Sequence, residues 1–151
     1  MEELECYMMR RRALLGGKKP LPFVIWQNSM ASVSEIPIEY TESKCTLTYG
    51  SSLSGSFVEL VGVSGPAAQS VAFTIPASYV KKAKTCNIVW YIIEAYRSCN
   101  VKLVCDGQTL TDTGTANMQK RTYTPDITSF TGDLTVTFTG NKVRIYNFVI
   151  E

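Results

Sequence analysis

The sequence predicts an all-β fold: a two-sheet antiparallel β-sandwich of the jelly-roll type, preceded by an N-terminal helical or extended arm. Three observations carry this. Short apolar runs alternate with period two through most of the chain after residue 22. Gly, Ser and Pro turns break those runs at short intervals, the spacing of a sandwich. The basic, helix-prone opening stops at Gly16-Gly17. The division is therefore 1–22 as an anchoring arm and linker, and 23–151 as the sandwich.

Residues 2–15 favour a helix because Leu4, Tyr7, Met8, Leu14 and Leu15 fall near one stripe, which Arg11 interrupts. Glutamates open it and arginines close it, as the macrodipole prefers. Lys18 to Pro22 reads as an extended connector. A single helix of this length is marginal in water. It needs a surface to pack on, either another chain or its own body.

The strands follow in order. Phe23 to Gln27 is the first, and Ile36 to Tyr40 the second, at an edge because of Pro37. Cys45, Leu47 and Tyr49 alternate with threonines; Phe57 to Val63 and Val71 to Ile75 come next, separated by Ser64-Gly65-Pro66. Ala77 to Lys84 is the one further helical candidate, behind Pro76. Asn87 to Tyr96 is apolar on both faces, which predicts a central strand covered on both sides. Val101 to Cys105 is expected to pair with it. Asp106-Gly107 is a turn. The threonine-rich segment 109–124 lacks clear alternation and reads as a long exposed loop or an irregular edge hairpin. Leu134 to Thr139 and Val143 to Ile150 close the sandwich, turning at Gly140-Asn141.

Composition narrows the chemistry. At 45% hydrophobic and 19% charged, the 151-residue chain can build a core. The net charge of +2 does not favour nucleic acid as a partner. No apolar run reaches the length of a membrane helix, and the acid-first opening is not a secretory signal. With no histidine, Ser-His-Asp and Cys-His catalysis are excluded. The five cysteines form no C-x-x-C pair and are expected to be reduced and mostly buried. Oxygens of Asp106, Asp112 or Asp126 could hold a calcium, but no EF-hand spacing is present, and no metal or cofactor is assigned. Glu94 interrupts an apolar strand and is expected to pair with Arg97 or Lys102. Asp106 and Asp133 sit beside glycines and are read as turn-formers. Trp26, Trp90, Tyr79, Tyr91, Tyr96, Tyr123 and Tyr146 are the aromatic candidates for a sugar platform; Trp90, between Ile88 and Ile92, is read as core, and Tyr79, Tyr96 and Tyr123, in or near predicted loops, are the favoured three.

The run from Tyr123 through Asp126-Ile127-Thr128-Ser129-Phe130-Thr131-Gly132 to Phe138, then Val143 to Ile150, resembles the closing strands of galactose-binding-like jelly rolls, as in many carbohydrate-binding modules. Tyr146 stands before Asn147 where such modules often carry an aspartate, so the resemblance implies no calcium. Arg10-Arg11-Arg12-Ala13-Leu14-Leu15-Gly16 is similar to the basic openings of virion and appendage proteins of gut bacteriophages, particularly those infecting Bacteroidota. Together these resemblances imply a non-enzymatic virion component, a head decoration, head fibre or tail appendage assembled in the host cytoplasm. Its arm would bind other virion proteins through Leu4, Tyr7, Met8, Met9, Arg10, Arg11, Arg12, Leu14 and Leu15, in a homo-oligomer expected to be a trimer. The alternative is a carbohydrate-binding module or adhesin that recognises host-surface or mucosal glycans through Tyr79, Tyr96 and Tyr123.

Overall fold

The computed structural model describes residues 21–62, 69–95 and 99–151. The whole expected anchor, Leu4 to Leu15, lies outside the described residues, as do Tyr96, Arg97 and the Ser64-Gly65-Pro66 turn. Among the described residues no helix is long and apolar enough to cross a membrane.

Two antiparallel sheets form the sandwich. The strands are β1 (Phe23–Trp26), β2 (Tyr40–Ser43), β3 (Cys45–Ser52), β4 (Gly55–Gly62), β5 (Ser70–Ile75), β6 (Cys86–Ile92), β7 (Cys99–Cys105), β8 (Gln108–Gly114), β9 (Gln119–Tyr123), β10 (Leu134–Thr139) and β11 (Val143–Ile150). A six-stranded sheet runs β3-β4-β11-β6-β9, with β1 paired to the C-terminal half of β11. A five-stranded sheet runs β2-β5-β10-β7-β8. One helical turn, α1 (Ala77–Val80), is all that forms of the segment read as helical between 77 and 84.

Period-two alternation builds the core. Ile88, Trp90 and Ile92 of β6 and Leu134, Val136 and Phe138 of β10 all point inward and are fully buried. Phe73, Phe138 and Phe148, from β5, β10 and β11, meet edge to face with centroids 5.4–5.8 Å apart and lock the two sheets together. Cys45, Cys86, Cys99 and Cys105 are buried, and none of them forms a disulfide among the described residues. Burial pushes each thiol above the usual cysteine range.

Three expectations are corrected here. Val101 to Cys105 does not pair with the strand at 86–92: β7 lies in the other sheet, between β10 and β8. The segment 109–124 is neither a loop nor a hairpin, because β8 and β9 are edge strands of different sheets and the chain crosses between them. The second strand starts at Tyr40 rather than Ile36; a capped 3-10 turn at Val33–Glu35 precedes it.

Turns behave as the sequence indicates. Asp106 and Gly107 both take positive φ (51° and 75°), as a two-residue hairpin needs. The Asp106 carboxylate accepts from Thr131 N at 2.8 Å, Thr131 Oγ1 at 3.1 Å and Gly132 N at 3.4 Å, which ties the β7–β8 hairpin to the corner before β10. Asp133 accepts from Ala77 N at 2.9 Å and fixes the start of α1. The Thr131 backbone N–H, foremost, holds the Asp106 carboxyl below the ordinary aspartate range. A depressed folded value stabilises the protein fully above the unfolded aspartate value, near about pH 4, and loses its effect as pH falls through the folded value. Asp106→Asn should therefore cost stability at neutral pH, and its unfolding curve should converge on the parent's in acid. A deficit unchanged between neutral and strongly acidic solution would contradict this.

Candidate functional site

On a sheet with one face in the core, the other face is normally polar. The outer face of the six-stranded sheet carries apolar and aromatic side chains among its polar ones. Val89 and Tyr91 of β6 project outward, opposite in sense to Ile88, Trp90 and Ile92, and are only half-buried. Together with Ile93 they floor an open cleft of about 640 Å3.

A β-bulge supplies the next side chains. The β11–β6 register slips between Ile145 and Asn147, so Tyr146 and Asn147 both lie on the outer side. Strict alternation would turn Asn147 inward and Phe148 outward. The bulge restores Phe148 and Ile150 to the core while adding a second outward residue to the cleft.

One line of cross-strand partners crosses this face: Thr48 (β3), Glu59 (β4), Arg144 (β11), Tyr91 (β6) and Lys120 (β9). At about 4.8 Å per strand, the run from Glu59 to Lys120 spans about 14 Å. Arg144 Nε donates to Glu59 Oε1 at 2.8 Å, and the guanidinium lies 4.1 Å from the centre of the Phe57 ring. Phe57 also packs on Tyr146 at 5.3 Å, and Tyr146 meets Tyr91 edge-on at 6.4 Å. Gly50 makes this stack possible, since a Cβ there would sit 2.6 Å from the Phe57 ring. The Tyr146 hydroxyl lies 3.2 Å from Ser52 Oγ and accepts weakly from Arg144 at 3.5 Å. Two of the protein's aromatic rings are thus clamped on the sheet by their neighbours, with their outward surfaces facing the cleft.

The rim is apolar on opposite sides. Leu53, in the two-residue turn between β3 and β4, is fully exposed, and Met118, just before β9, is 67% exposed. The Tyr91 hydroxyl donates to Met118 Sδ at 3.7 Å. Amides of Gln27, Asn28 and Asn147 complete the lining. Exposed apolar side chains thus stand beside hydrogen-bonding groups around the cleft.

The sites expected from the sequence are placed differently. Tyr79 was expected to be exposed. It lies on α1, only 7% exposed, and stacks on Phe23 at 3.8 Å; burial pushes its phenol above the usual range. Tyr123 is on β9 rather than in a loop, and it faces inward opposite Ile88 and packs against the core. Neither lines the cleft. Tyr96 is outside the described residues. Trp90 is core, as expected. Glu94 pairs with Lys142 at 3.2 Å rather than with Lys102, which lies in the opposite sheet. Of the carboxylates considered for calcium, Asp112 is fully engaged, accepting from Trp90 Nε1 at 3.0 Å and from Arg121 at 2.6 and 3.0 Å. Asp126 caps Thr128 and Asp106 caps Thr131. Among the described residues no three His, Cys, Asp or Glu side chains cluster as metal ligands would.

Solved structures share this architecture. The chain is similar to a mutant of a family 29 carbohydrate-binding module, with 15% identity, a TM-score of 0.59 and coverage of 85% of this chain and 89% of that one. The chain folds like a carbohydrate-binding module. It is also similar to a family 29 module mutant complexed with mannohexaose (18% identity, TM-score 0.55, 84% and 88% covered) and to another complexed with cellulohexaose (16%, 0.54, 87% and 92%). At such identities the likeness carries the fold and leaves the ligand to the geometry. No protein-family model and no curated protein matches the sequence. None of these comparisons bears on the virion role, the trimer or the anchor.

Proposed function

We propose that the sandwich is a non-catalytic glycan-binding module and that the outer face of the six-stranded sheet is its binding surface. One observation carries the reading: a solvent-facing sheet surface that places the half-buried rings of Tyr91 and Tyr146 in a cleft rimmed by Leu53 and Met118, with amide and cationic side chains around them. Sugars present apolar C–H faces edged by hydroxyls, and an aromatic floor with a polar border suits both. The fold supports the same reading, since similar modules are complexed with mannohexaose and cellulohexaose.

The site residues are therefore Tyr91, Tyr146, Arg144 and Lys120, in place of Tyr79 and Tyr123. The test is a glycan array probed with the full chain, with hits confirmed by calorimetry. Saturable binding to at least one oligosaccharide is expected, and a flat array with no heat on titration of the same sugars would overturn the proposal.

The arm is proposed, from its sequence alone, to tether this module to a partner chain. Deleting residues 1–19 should abolish that attachment and leave glycan binding intact.

A further inference from the structure

The cleft carries an unbalanced charge. Arg144 and Lys120 flank Tyr91 as its direct cross-strand partners, one on each side. Arg144 is neutralised by Glu59 at 2.8 Å and committed to the Phe57 ring. Lys120 is exposed and has no ion-pair partner among the described residues. Among the described residues no carboxylate lines the cleft. Glu94, beside the cleft residue Ile93 in sequence, is held by Lys142. Among the described residues the cleft therefore offers one positive charge without an ion-pair partner beside its aromatic floor, and none of the strong carboxylate acceptors that neutral sugar hydroxyls favour.

We infer that this cleft prefers an anionic sugar, and that Lys120 reads its charge. The inference rests on the glycan-binding reading and names the ligand class within it. A pyranose lying over Tyr91 would place a ring substituent within the reach of a lysine one strand away, about 4.8 Å across the sheet. A carboxylate or sulfate there gains a charge-assisted hydrogen bond that a hydroxymethyl group does not. The ammonium is a compact point charge that accepts either anion.

The experiment titrates the full chain with matched oligosaccharides: a uronate, its carboxyl-reduced neutral form, a sulfated form, and neutral mannohexaose and cellulohexaose. The uronate or the sulfated sugar should bind roughly tenfold more tightly than its neutral counterpart, the size of one charge-assisted hydrogen bond, and the preference should weaken in salt. The two anionic arms separate carboxylate from sulfate as the source. Lys120→Gln should collapse the anionic-to-neutral preference, and Lys120→Arg should retain it. Equal or tighter binding of the neutral sugars overturns this inference alone. An undiminished preference in Lys120→Gln does so too. Failure of every sugar to bind overturns it together with the reading beneath it.

Discussion

Trp90→Ala lowers the unfolding free energy by about 3–5 kcal/mol, the range for deleting a fully buried aromatic side chain. Trp90 is completely buried in β6 between Ile88 and Ile92, so its removal leaves a cavity between the sheets. The indole N–H also donates to Asp112 at 3.0 Å. Asp112 in turn holds Arg121, with the shorter contact at 2.6 Å, and this closes the seam between edge strands β8 and β9 of the two sheets. One side chain thus supports both the packing and the seam. Single domains are stable by only about 5–15 kcal/mol, so the variant should lose a large share of its stability. Trp90→Phe keeps most of the ring and loses the donor, and should cost about 1–2 kcal/mol. Urea unfolding of the three proteins checks the order. An alanine variant within about 1 kcal/mol of the parent would show that the ring does not sit in a packed interior.

Tyr91→Ala has the opposite profile. The ring is half-buried on the outer face and makes its contacts with Tyr146 and Met118, at the cleft rather than in the core. Affinity for the bound oligosaccharide should fall by about 2 kcal/mol, roughly 30-fold, as for an aromatic anchor at the centre of a contact surface. Stability should change by less than about 1 kcal/mol. Tyr146→Ala should behave similarly. Tyr79→Ala supplies the contrast: it removes a buried ring stacked on Phe23, so it should destabilise the fold and leave affinity alone in the protein that remains folded. Calorimetry beside thermal melts separates the two classes. Loss of binding in Tyr79→Ala with none in Tyr91→Ala would move the site to the α1 end of the sandwich.

The strands were largely legible from their alternation. β10 and β11 fall within a residue of the expected spans, because both run clean apolar-polar repeats against a buried face. Pairing was not legible, since a period of two says that a strand has a core face and not which sheet owns it. Edge strands β8 and β9 hid for a more specific reason. Their inward positions include Asp112, Arg121 and Gln119, so the charged pair that closes the seam breaks the apolar repeat. The outer face of β6 departs from the expectation because its apolar residues have a different cause. Apolar residues on both faces of β6 suggested a second covering layer, whereas Val89 and Tyr91 face the open cleft. The bulge that adds Asn147 to the same face as Tyr146 has no mark in the sequence, because it arises from the register between β11 and β6.

The decisive measurement maps the ligand onto the sheets. Isotope-labelled full chain is titrated with the oligosaccharide that the array selects, and backbone and side-chain resonances are followed by NMR. Perturbations should concentrate on Tyr91, Lys120, Arg144 and Tyr146 along one line of β9, β6 and β11. Perturbations confined to the outward threonines of β8 and β10 on the opposite sheet, with the cleft resonances unmoved, would contradict the account.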